Sequence, residues 1–364
     1  MSALKINIIL FGIGKVGSAL IQQIEESQLF FQEKYGVELR FPIITNSTLA
    51  FFEKKGHTNS WEANFNQLAI PFKIEDIVAY AKQQDFENLI AVDATTGTEL
   101  SKSYIELIQN GFNIVAANKS ANILHQDFYN EIRRNLKKFD KIFLYETTIS
   151  TGLPLLSTLK ELQASGEKIT KIRGVFSDAL SYIFNRFGNE EVPFATLLEE
   201  AETNGYTEKD SRIDLSGTEV AEKLVIIARE LGLNTDVNAV GITSLLVPAL
   251  DKSISKTEYH NRKNLLNTPF KVAKLTQTEN HVLRYVGEIN IENNKLSAQL
   301  ISVPSNSNLG QLKNRDKLIE IYTETNGANP YVIQSVSTDT IGVARTVIKD
   351  IIRISNQIKR KELV

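Results

Sequence analysis

A glycine motif between an apolar run and an amphipathic segment constrains the fold more than any other feature of the sequence. Ile6–Phe11 is typical of a buried strand, and Gly12-Ile13-Gly14-Lys15-Val16-Gly17 follows it directly. Ala19, Leu20 and Ile24 then recur at helical spacing. At a strand–helix junction, G-x-G-x-x-G lets the backbone approach a pyrophosphate and directs helix N-terminal amides at its charge. We therefore predict a dinucleotide site rather than a purely structural turn. Its candidate contacts are Gly12, Gly14, Lys15, Val16 and Gly17.

Polar residues follow several further predicted strands. These strands are Phe41–Ile44, Leu89–Asp93 and Gly111–Ala117. In doubly wound folds the carboxyl ends of parallel strands face the ligand crevice, so residues at these ends are candidates by position. Ordinary turn residues are the alternative. The candidates are Asn46, Ser47, Thr95, Thr96, Asn118 and Lys119.

The end of the second strand bears on the choice of cofactor. Thr45-Asn46-Ser47 stands where an acid would hold the ribose 2′-hydroxyl of NAD. An acid would repel a 2′-phosphate and short polar residues would not, so the sequence favours NADP over NAD. No arginine stands beside this turn, and Lys54 and Lys55 are as readily explained as solvated side chains.

Composition excludes several classes of function. The 364 residues contain 42% hydrophobic residues, enough for two domains of ordinary size. With no cysteine and four scattered histidines, neither disulfides nor a structural zinc site are expected. A net charge of −2 argues against nucleic acid or an anionic membrane as a partner. We find no signal peptide or membrane span and expect a cytoplasmic location.

The pattern of predicted strands and helices changes in the second half of the chain. Alternating strands and helices persist to Lys141–Glu146, which is typical of a strand, and a helix-rich stretch follows. His281–Ile289 and Lys295–Ile301 predict a β-hairpin, Tyr331–Ile333 a strand and Ile341–Ile358 a helix. We predict an α/β chain, with a Rossmann-type doubly wound parallel sheet plus a separate α+β domain. The expected boundaries are 1–147 for the nucleotide-binding domain, 148–337 for the α+β domain and 338–364 for a C-terminal helix.

A turn-rich loop carrying carboxylates precedes a lysine on a helix. Apolar residues recur at helical spacing around Lys223, which predicts that this lysine is mostly buried. Desolvation would lower its pKa toward the range useful for proton transfer. Glu208 and Asp214 could hold a substrate ammonium by charge-assisted hydrogen bonds.

A structural interpretation of the same segment stays open at this point. Ser216-Gly217-Thr218-Glu219 matches a capping box, in which Glu219 would satisfy only a backbone amide. Glu219 and Lys223 also have the spacing of a stabilising surface ion pair on a helix.

Taken in order, these segments resemble homoserine dehydrogenases, and most closely the dehydrogenase half of fused aspartokinase–homoserine dehydrogenases. The resemblance extends over nearly the whole chain. No kinase-like domain precedes Met1 in the sequence, so we expect a stand-alone version. The segments that carry it are Gly12-x-Gly14-x-Val16-Gly17, Asn118-Lys119, Leu144-Tyr145-Glu146, Gly152-Leu153-Pro154, Leu180-Ser181-Tyr182-Ile183-Phe184, Gly205-Tyr206-Thr207-Glu208, Asp214-Leu215-Ser216-Gly217 and Leu283-Arg284-Tyr285-Val286-Gly287.

The resemblance implies NAD(P)-linked interconversion of L-homoserine and L-aspartate 4-semialdehyde, on the branch to threonine, isoleucine and methionine. It implies proton transfer by Lys223 and a second active-site lysine at Lys119. It places Tyr206, Glu208 and Asp214 at the amino-acid site, with Asp214 also a catalytic candidate.

The resemblance also implies that residues 148–337 form a catalytic domain that binds substrate and dimerises, with a homodimer paired through the hairpin near 282–301. It implies that the helix within 338–364 returns to the nucleotide-binding domain. It further implies a monovalent cation such as Na⁺ near Glu146, Ile149 and Thr151, bound largely by backbone carbonyls.

Three departures from the family pattern concern the substrate, the nicotinamide and the cation. Ser177-Asp178-Ala179 replaces a neutral run that contacts substrate, and Asp178 either lines the pocket or points to solvent. Gln334–Thr340 replaces a glycine- and alanine-rich loop, and Ser150 replaces a glycine. Two alternatives to the dehydrogenase therefore stay open: a non-catalytic dinucleotide-binding partner or sensor, and a dehydrogenase for a different amino aldehyde.

Overall fold

A computed structural model describes residues 3–53, 60–149, 152–336 and 339–362. The chain divides into two compact units. Unit 1 comprises Met1–Gly152 and Thr338–Val364, and unit 2 comprises Leu153–Ser337. Among the helices that the structure describes, none combines the length and apolar character needed to span a lipid bilayer.

Each unit is built around one sheet. The strands are β1 (Leu4–Phe11), β2 (Val37–Thr45), β3 (Leu49–Phe52), β4 (Ile70–Pro71), β5 (Leu89–Asp93), β6 (Asn113–Ala116) and β7 (Phe143–Leu144) in unit 1, and β8 (Ile169–Gly174), β9 (Gly241–Ile242), β10 (His281–Asn290), β11 (Lys295–Pro304), β12 (Asp316–Thr323) and β13 (Tyr331–Val336) in unit 2. The α-helices are α1 (Lys15–Glu26), α2 (Gln28–Tyr35), α3 (Trp61–Leu68), α4 (Ile74–Gln83), α5 (Glu99–Lys102), α6 (Tyr104–Gln109), α7 (Ser120–Ile123), α8 (Gln126–Lys138), α9 (Leu155–Ala164), α10 (Asp178–Phe187), α11 (Phe194–Thr203), α12 (Arg212–Leu215), α13 (Thr218–Glu230), α14 (Lys256–Arg262), α15 (Asn267–Thr276) and α16 (Thr340–Glu362), of which the last belongs to unit 1.

The sheet of unit 1 has the strand order β4-β3-β2-β1-β5-β6-β7. The strands from β2 to β7 in this order run parallel, whereas β3 and β4 are antiparallel additions at one edge. The predicted doubly wound parallel sheet is confirmed. Because the chain leaves β1 first toward β2 and later returns on its other side at β5, the carboxyl ends of these central strands form the switch point where such folds bind ligands.

The core of unit 1 explains where α1 begins. Strand β1 is buried on both faces, as expected for a central parallel strand. Helix α1 buries Leu20, Ile21 and Ile24 in the same core, to which α16 contributes a further apolar stripe. These contacts hold the N-terminal end of α1 at the carboxyl end of β1. The stripe on α16 consists of Ala344, Val347, Ile348, Ile351, Ile352 and Ile354.

The sheet of unit 2 has the order β13-β12-β8-β10-β11-β9 and is antiparallel except where short β9 joins β11. The predicted hairpin is confirmed, with His281 opposite Pro304 and Asn290 opposite Lys295. The predicted strand at Tyr331–Ile333 is confirmed within β13.

Two segments differ from the sequence prediction. The sequence predicts one strand over Lys141–Glu146, but only Phe143–Leu144 pairs with β6. The prediction is wrong at its ends because the chain turns after Tyr145 into a 3-10 helix, Glu146–Thr148. In unit 2 the expected loop before Lys223 contains the helical turn α12.

Candidate active site

Two glycines of the motif in unit 1 have no space for a side chain, and the third has open space beside it. Gly12 has φ +95°, and a Cβ there would lie 2.9 Å from the carbonyl group of Ala94. A Cβ on Gly17 would lie only 1.9 Å from the Gly12 oxygen, so these two glycines are required by the protein's own packing. A Cβ on Gly14 would meet nothing within 4 Å. A ligand could therefore approach the protein backbone closely at Gly14.

The start of α1 suits a phosphate group. Gly14 is the N-cap residue and has an extended conformation without a side-chain cap. The first-turn amides, which include those of Lys15 and Val16, therefore begin the helix without an oxygen supplied by a capping side chain. Amides at a helix N-terminus favour negative charge, so the residues present fit the pyrophosphate of a dinucleotide.

The turn after β2 contains no carboxylate. The Asn46 Oδ1 accepts hydrogen bonds from the backbone amides of Thr48 at 2.9 Å and Leu49 at 2.7 Å. Asn46 thereby shapes its own turn, and Ser47 is exposed. The turn itself therefore presents polar side chains without negative charge at this strand end.

The loops after β5 and β6 are tied together by buried polar groups. Asp93 accepts hydrogen bonds from the Thr95 hydroxyl at 2.7 Å and the Tyr104 hydroxyl at 2.7 Å. Burial raises the pKa of Asp93, and these hydrogen bonds oppose the rise. The Asn118 amide donates to Thr95 Oγ1 at 3.1 Å and to the Gly97 oxygen at 2.7 Å. Thr95 and Asn118 therefore hold the crevice loops in place.

The remaining candidates of this crevice are nearer to solvent. Thr96 is exposed and Lys119 is half-buried. Lys119 directly precedes α7, and Ser120 at the start of that helix donates to the Asn118 oxygen at 2.6 Å. The backbone around Lys119 is thus fixed by its neighbour.

Glu146 meets the C-terminal helix of unit 1. Its backbone amide donates to Asp350 at 3.2 Å, and Arg353 lies 3.5 Å from its carboxylate and 3.4 Å from that of Asp350. Burial raises the pKa of Asp350 to about 6, with the charge of Glu146 adding to the rise. Because Arg353 compensates the Glu146 carboxylate, a cation here would depend on backbone carbonyls. Ile149 is buried beside this segment, and Thr151 lies outside the described residues.

Lys223 is the best-defined candidate of unit 2. It is 7% exposed, and its ammonium donates to the Phe176 oxygen at 2.8 Å and pairs with Glu219 at 2.7 Å. The predicted lowering of its pKa is wrong. Burial alone lowers the pKa of Lys223, but the carboxylates of Glu219 and Asp178 outweigh burial and raise it above the ordinary value.

Glu219 pairs with Lys223 instead of closing a capping box. Helix α13 begins after Gly217, whose φ is +77°, and no side chain caps it. Ser216 Oγ accepts from the Thr218 amide at 3.2 Å, not from the amide of Glu219. The capping-box interpretation is therefore wrong. The ion pair with the buried Lys223 is also not the surface pair that the spacing suggested.

Asp214 lies on α12, is buried, and accepts a hydrogen bond from the Glu208 amide at 3.0 Å. Burial, with the nearby charges of Glu219 and Glu208, raises the pKa of Asp214 to about 7 against the effect of that hydrogen bond. Glu208 itself is exposed. We call Glu208, Asp214, Glu219 and Lys223 the Lys223 cluster. The cluster joins an exposed carboxylate, a carboxyl group able to titrate near neutral pH and a buried ammonium.

Tyr206 belongs to a neighbouring aromatic cluster. Its ring packs edge-on against Tyr182 at 5.1 Å, and the Arg315 guanidinium lies over it at 4.1 Å. The Tyr182 hydroxyl donates to Glu200 at 2.9 Å. These contacts hold the Tyr206 ring in place, two residues before Glu208 in the sequence.

Asp178 is the first residue of α10, and the preceding Ser177 caps this helix by accepting from the Leu180 amide at 3.3 Å. The Asp178 carboxylate pairs with Lys317 at 3.0 Å. Neither the pocket interpretation nor the solvent interpretation of Asp178 included this partner. Lys317 was missed because a single lysine at the start of a predicted strand gives no local signal, and its partner is distant in sequence.

Comparison with known families matches both units. Residues 154–352 match the family model described as homoserine dehydrogenase, and residues 12–146 match the NAD-binding domain of homoserine dehydrogenase. The chain is 30% identical to the Zea mays bifunctional aspartokinase/homoserine dehydrogenase 1 over 95% of its length and 29% identical to the Haemophilus influenzae bifunctional protein over 96%. It spans 38% and 42% of those two relatives.

Solved structures share this fold. A Candida auris protein described as of unknown function is 26% identical, with a TM-score of 0.88 over 97% of this chain and 99% of its own. A homoserine dehydrogenase from Thermoplasma acidophilum is 19% identical, with a TM-score of 0.71 over 97% of this chain and 99% of its own, a likeness of fold alone.

Proposed function

Because the chain belongs to the homoserine dehydrogenase family, we propose that it catalyses the NAD(P)-dependent interconversion of L-homoserine and L-aspartate 4-semialdehyde. The observation that carries this proposal is the buried ammonium of Lys223, held by Glu219 and the Phe176 oxygen. This reaction lies on the branch to threonine, isoleucine and methionine.

The chemistry requires a hydride acceptor and a proton carrier. When bound, the dinucleotide accepts or returns the hydride at its nicotinamide. Lys223 would hold or release the proton of the substrate oxygen. Asp214, whose pKa is raised to about 7 mainly by burial, would take up or release a proton of the site at neutral pH. A fixed ammonium also stabilises negative charge that develops on that oxygen.

Substrate recognition is assigned to the carboxylates and Tyr206. Glu208 and Asp214 carry the charge needed to hold the amino group of the substrate, and the Tyr206 ring would border it. We assign a second active-site lysine to Lys119, at the crevice loops of unit 1. Residues 148–337 would thus bind substrate, and residues 1–147 with the helix of 338–364 would bind the dinucleotide.

We further propose NADP as the preferred dinucleotide. Support comes from the turn at Asn46 and Ser47, which lacks the carboxylate expected of an NAD-specific site. The preference follows from the ratio of kcat/KM values measured with the two cofactors. A ratio that favours NAD would contradict this assignment.

Two further assignments follow the family. The β10–β11 hairpin would form the interface of a homodimer, which light scattering on purified protein would detect. A monovalent cation such as Na⁺ would sit at the backbone carbonyls near Glu146 and Ile149, and replacing Na⁺ by a bulky organic cation would then lower activity.

The test of the function is the absorbance of reduced cofactor when the protein meets L-homoserine with NADP or NAD. Lys223→Met should abolish turnover and leave dinucleotide binding unchanged, because unit 1 carries the dinucleotide contacts. Lys168→Met is a matched control, since Lys168 forms an exposed ion pair with Glu324 at 2.9 Å. A folded wild-type protein that binds dinucleotide without turnover would favour the non-catalytic alternative. Turnover of another amino alcohol only would indicate a different amino-aldehyde dehydrogenase.

A further inference from the structure

Asp178 and Lys317 form an ion pair with very unequal exposure. The Lys317 side chain is 1% exposed, whereas that of Asp178 is 36% exposed. A solute that approaches from solvent therefore meets the carboxylate before it meets the ammonium. An ammonium buried to this degree is costly without a counter-charge, so Lys317 depends on Asp178.

The backbone around this pair brings the two residues together. Lys317 lies near the start of β12, which pairs with β8, and the Val175 amide donates to the Leu318 oxygen at 2.9 Å. At Gly174 a Cβ would lie 2.4 Å from that same oxygen. The missing side chain allows β8 to approach β12 closely, which holds Lys317 against the first turn of α10.

The pair also adjoins the Lys223 cluster. The segment that starts α10 supplies both the Phe176 oxygen to Lys223, at 2.8 Å, and the Asp178 carboxylate to Lys317. Burial lowers the pKa of Lys223, and the charges of Glu219 and then Asp178 raise it. Burial lowers the pKa of Lys317, and the charge of Lys223 lowers it further against the pull of Asp178. Asp178 thus acts on two buried ammonium groups at once.

We propose that Lys317 is a specificity-determining residue, which cancels the charge of Asp178 so that a substrate carboxylate can bind beside the Lys223 cluster. This inference rests on the proposed function, because L-homoserine carries that carboxylate. Without Lys317, the Asp178 carboxylate would lose its ion-pair partner and would repel a substrate carboxylate. Without Asp178, the uncompensated Lys317 would attract a carboxylate more strongly.

Removing the charge of Lys317 and removing the charge of Asp178 should therefore have opposite effects on the discrimination between two ligands. These are L-homoserine and 3-aminopropan-1-ol, which lacks only the carboxylate. Calorimetry on the full chain saturated with NADPH gives both dissociation constants at pH 7 without turnover. A unit charge within about 10 Å, at an effective dielectric constant of about 20, changes affinity roughly tenfold.

Lys317→Met should weaken L-homoserine about tenfold relative to 3-aminopropan-1-ol, and Asp178→Asn should shift the ratio the other way. The double variant should return to the wild-type ratio, and Lys168→Met should not change it. Equal effects on both ligands, or a double variant that keeps the Lys317→Met ratio, would overturn the inference. So would wild-type protein that binds 3-aminopropan-1-ol but not L-homoserine.

Two outcomes separate this inference from the proposed function. If the wild-type protein binds L-homoserine without oxidising it, the dehydrogenase assignment is wrong. The ratio of the two dissociation constants still decides the role of Lys317. If Lys317→Met does not fold, the double variant, which leaves no unpaired charge, is compared with Asp178→Asn. The inference then requires Asp178→Asn to favour the carboxylate ligand more than the double variant does, and equal ratios would overturn it.

Discussion

Replacing Asp214 by asparagine is expected to stabilise the protein at pH 8 but not at pH 5. Burial, with the charges of Glu219 and Glu208, raises the pKa of Asp214 from 3.8 to about 7. Between these two values the folded protein holds a proton that the unfolded chain has released. The free energy of unfolding therefore falls as the pH rises from about 4 to about 7.

The magnitude follows from the size of the shift. Three pKa units correspond to about 4 kcal/mol at 1.36 kcal/mol per unit. Most of that range lies between pH 5 and pH 8, where the wild-type protein should lose roughly 2.5 kcal/mol through this one group. The asparagine side chain would not titrate, and its oxygen can still accept from the Glu208 amide. Relative to wild type, Asp214→Asn should therefore gain roughly 2.5 kcal/mol between the two pH values.

The assay is urea unfolding of both proteins at pH 5 and pH 8, followed by circular dichroism because the single tryptophan, Trp61, lies in unit 1. Asp210→Asn is a control of opposite sign. A hydrogen-bonded ion pair with Arg212 at 2.8 Å lowers the pKa of Asp210, so this variant should lose stability at neutral pH and recover relative to wild type as the pH falls below about 4. A stability difference between Asp214→Asn and wild type that is equal at pH 5 and pH 8 would refute the reasoning.

Two further predictions concern the glycine motif and a buried arginine. Gly14→Ala should fold with wild-type stability, because the new Cβ has space in the protein. It should bind dinucleotide at least about tenfold more weakly, because that Cβ would occupy the space through which the ligand approaches. Gly17→Ala should lose stability as well, since its Cβ would overlap the Gly12 oxygen. Thermal unfolding and cofactor titration separate the two variants. Arg284→Met should lower the free energy of unfolding by at least about 3 kcal/mol in chemical denaturation, because the fully buried guanidinium donates to five backbone carbonyls that would lose their partner. A loss below about 1 kcal/mol would show that those carbonyls find other donors.

Features with a local signal could be predicted from the sequence. The run Ile6–Phe11, its glycine motif and the spacing of α1 lie within one continuous segment, and the strand–turn–helix follows from that segment alone. The hairpin His281–Pro304 is similarly encoded by two apolar runs around a polar turn. The sequence prediction extends β7 too far because apolar character persists through Tyr145 after sheet pairing has ended.

The electrostatics of the site could not be predicted in the same way. Helical spacing correctly predicts the burial of Lys223, but the sign of its pKa shift depends on Glu219 and on Asp178, which reaches it through the fold. Lys317 reaches Asp178 only because β12 pairs with β8 at Gly174. The capping-box pattern at Ser216 fails for a local reason, since Gly217 in the left-handed region starts the helix one residue later.

Unit 2 contains two kinds of buried charge, and their surroundings distinguish structure from chemistry. Arg284 is enclosed by backbone carbonyls, which cannot titrate, and burial lowers its pKa only to about 10, so it keeps its charge at neutral pH. Lys223, by contrast, pairs with the carboxylate of Glu219, and the charge of Glu219 also acts on buried Asp214, whose pKa is raised to about 7. A buried ammonium paired with a carboxylate that also influences a group titrating near pH 7 is typical of proton-transfer sites, and this is the physical basis of the role proposed for Lys223.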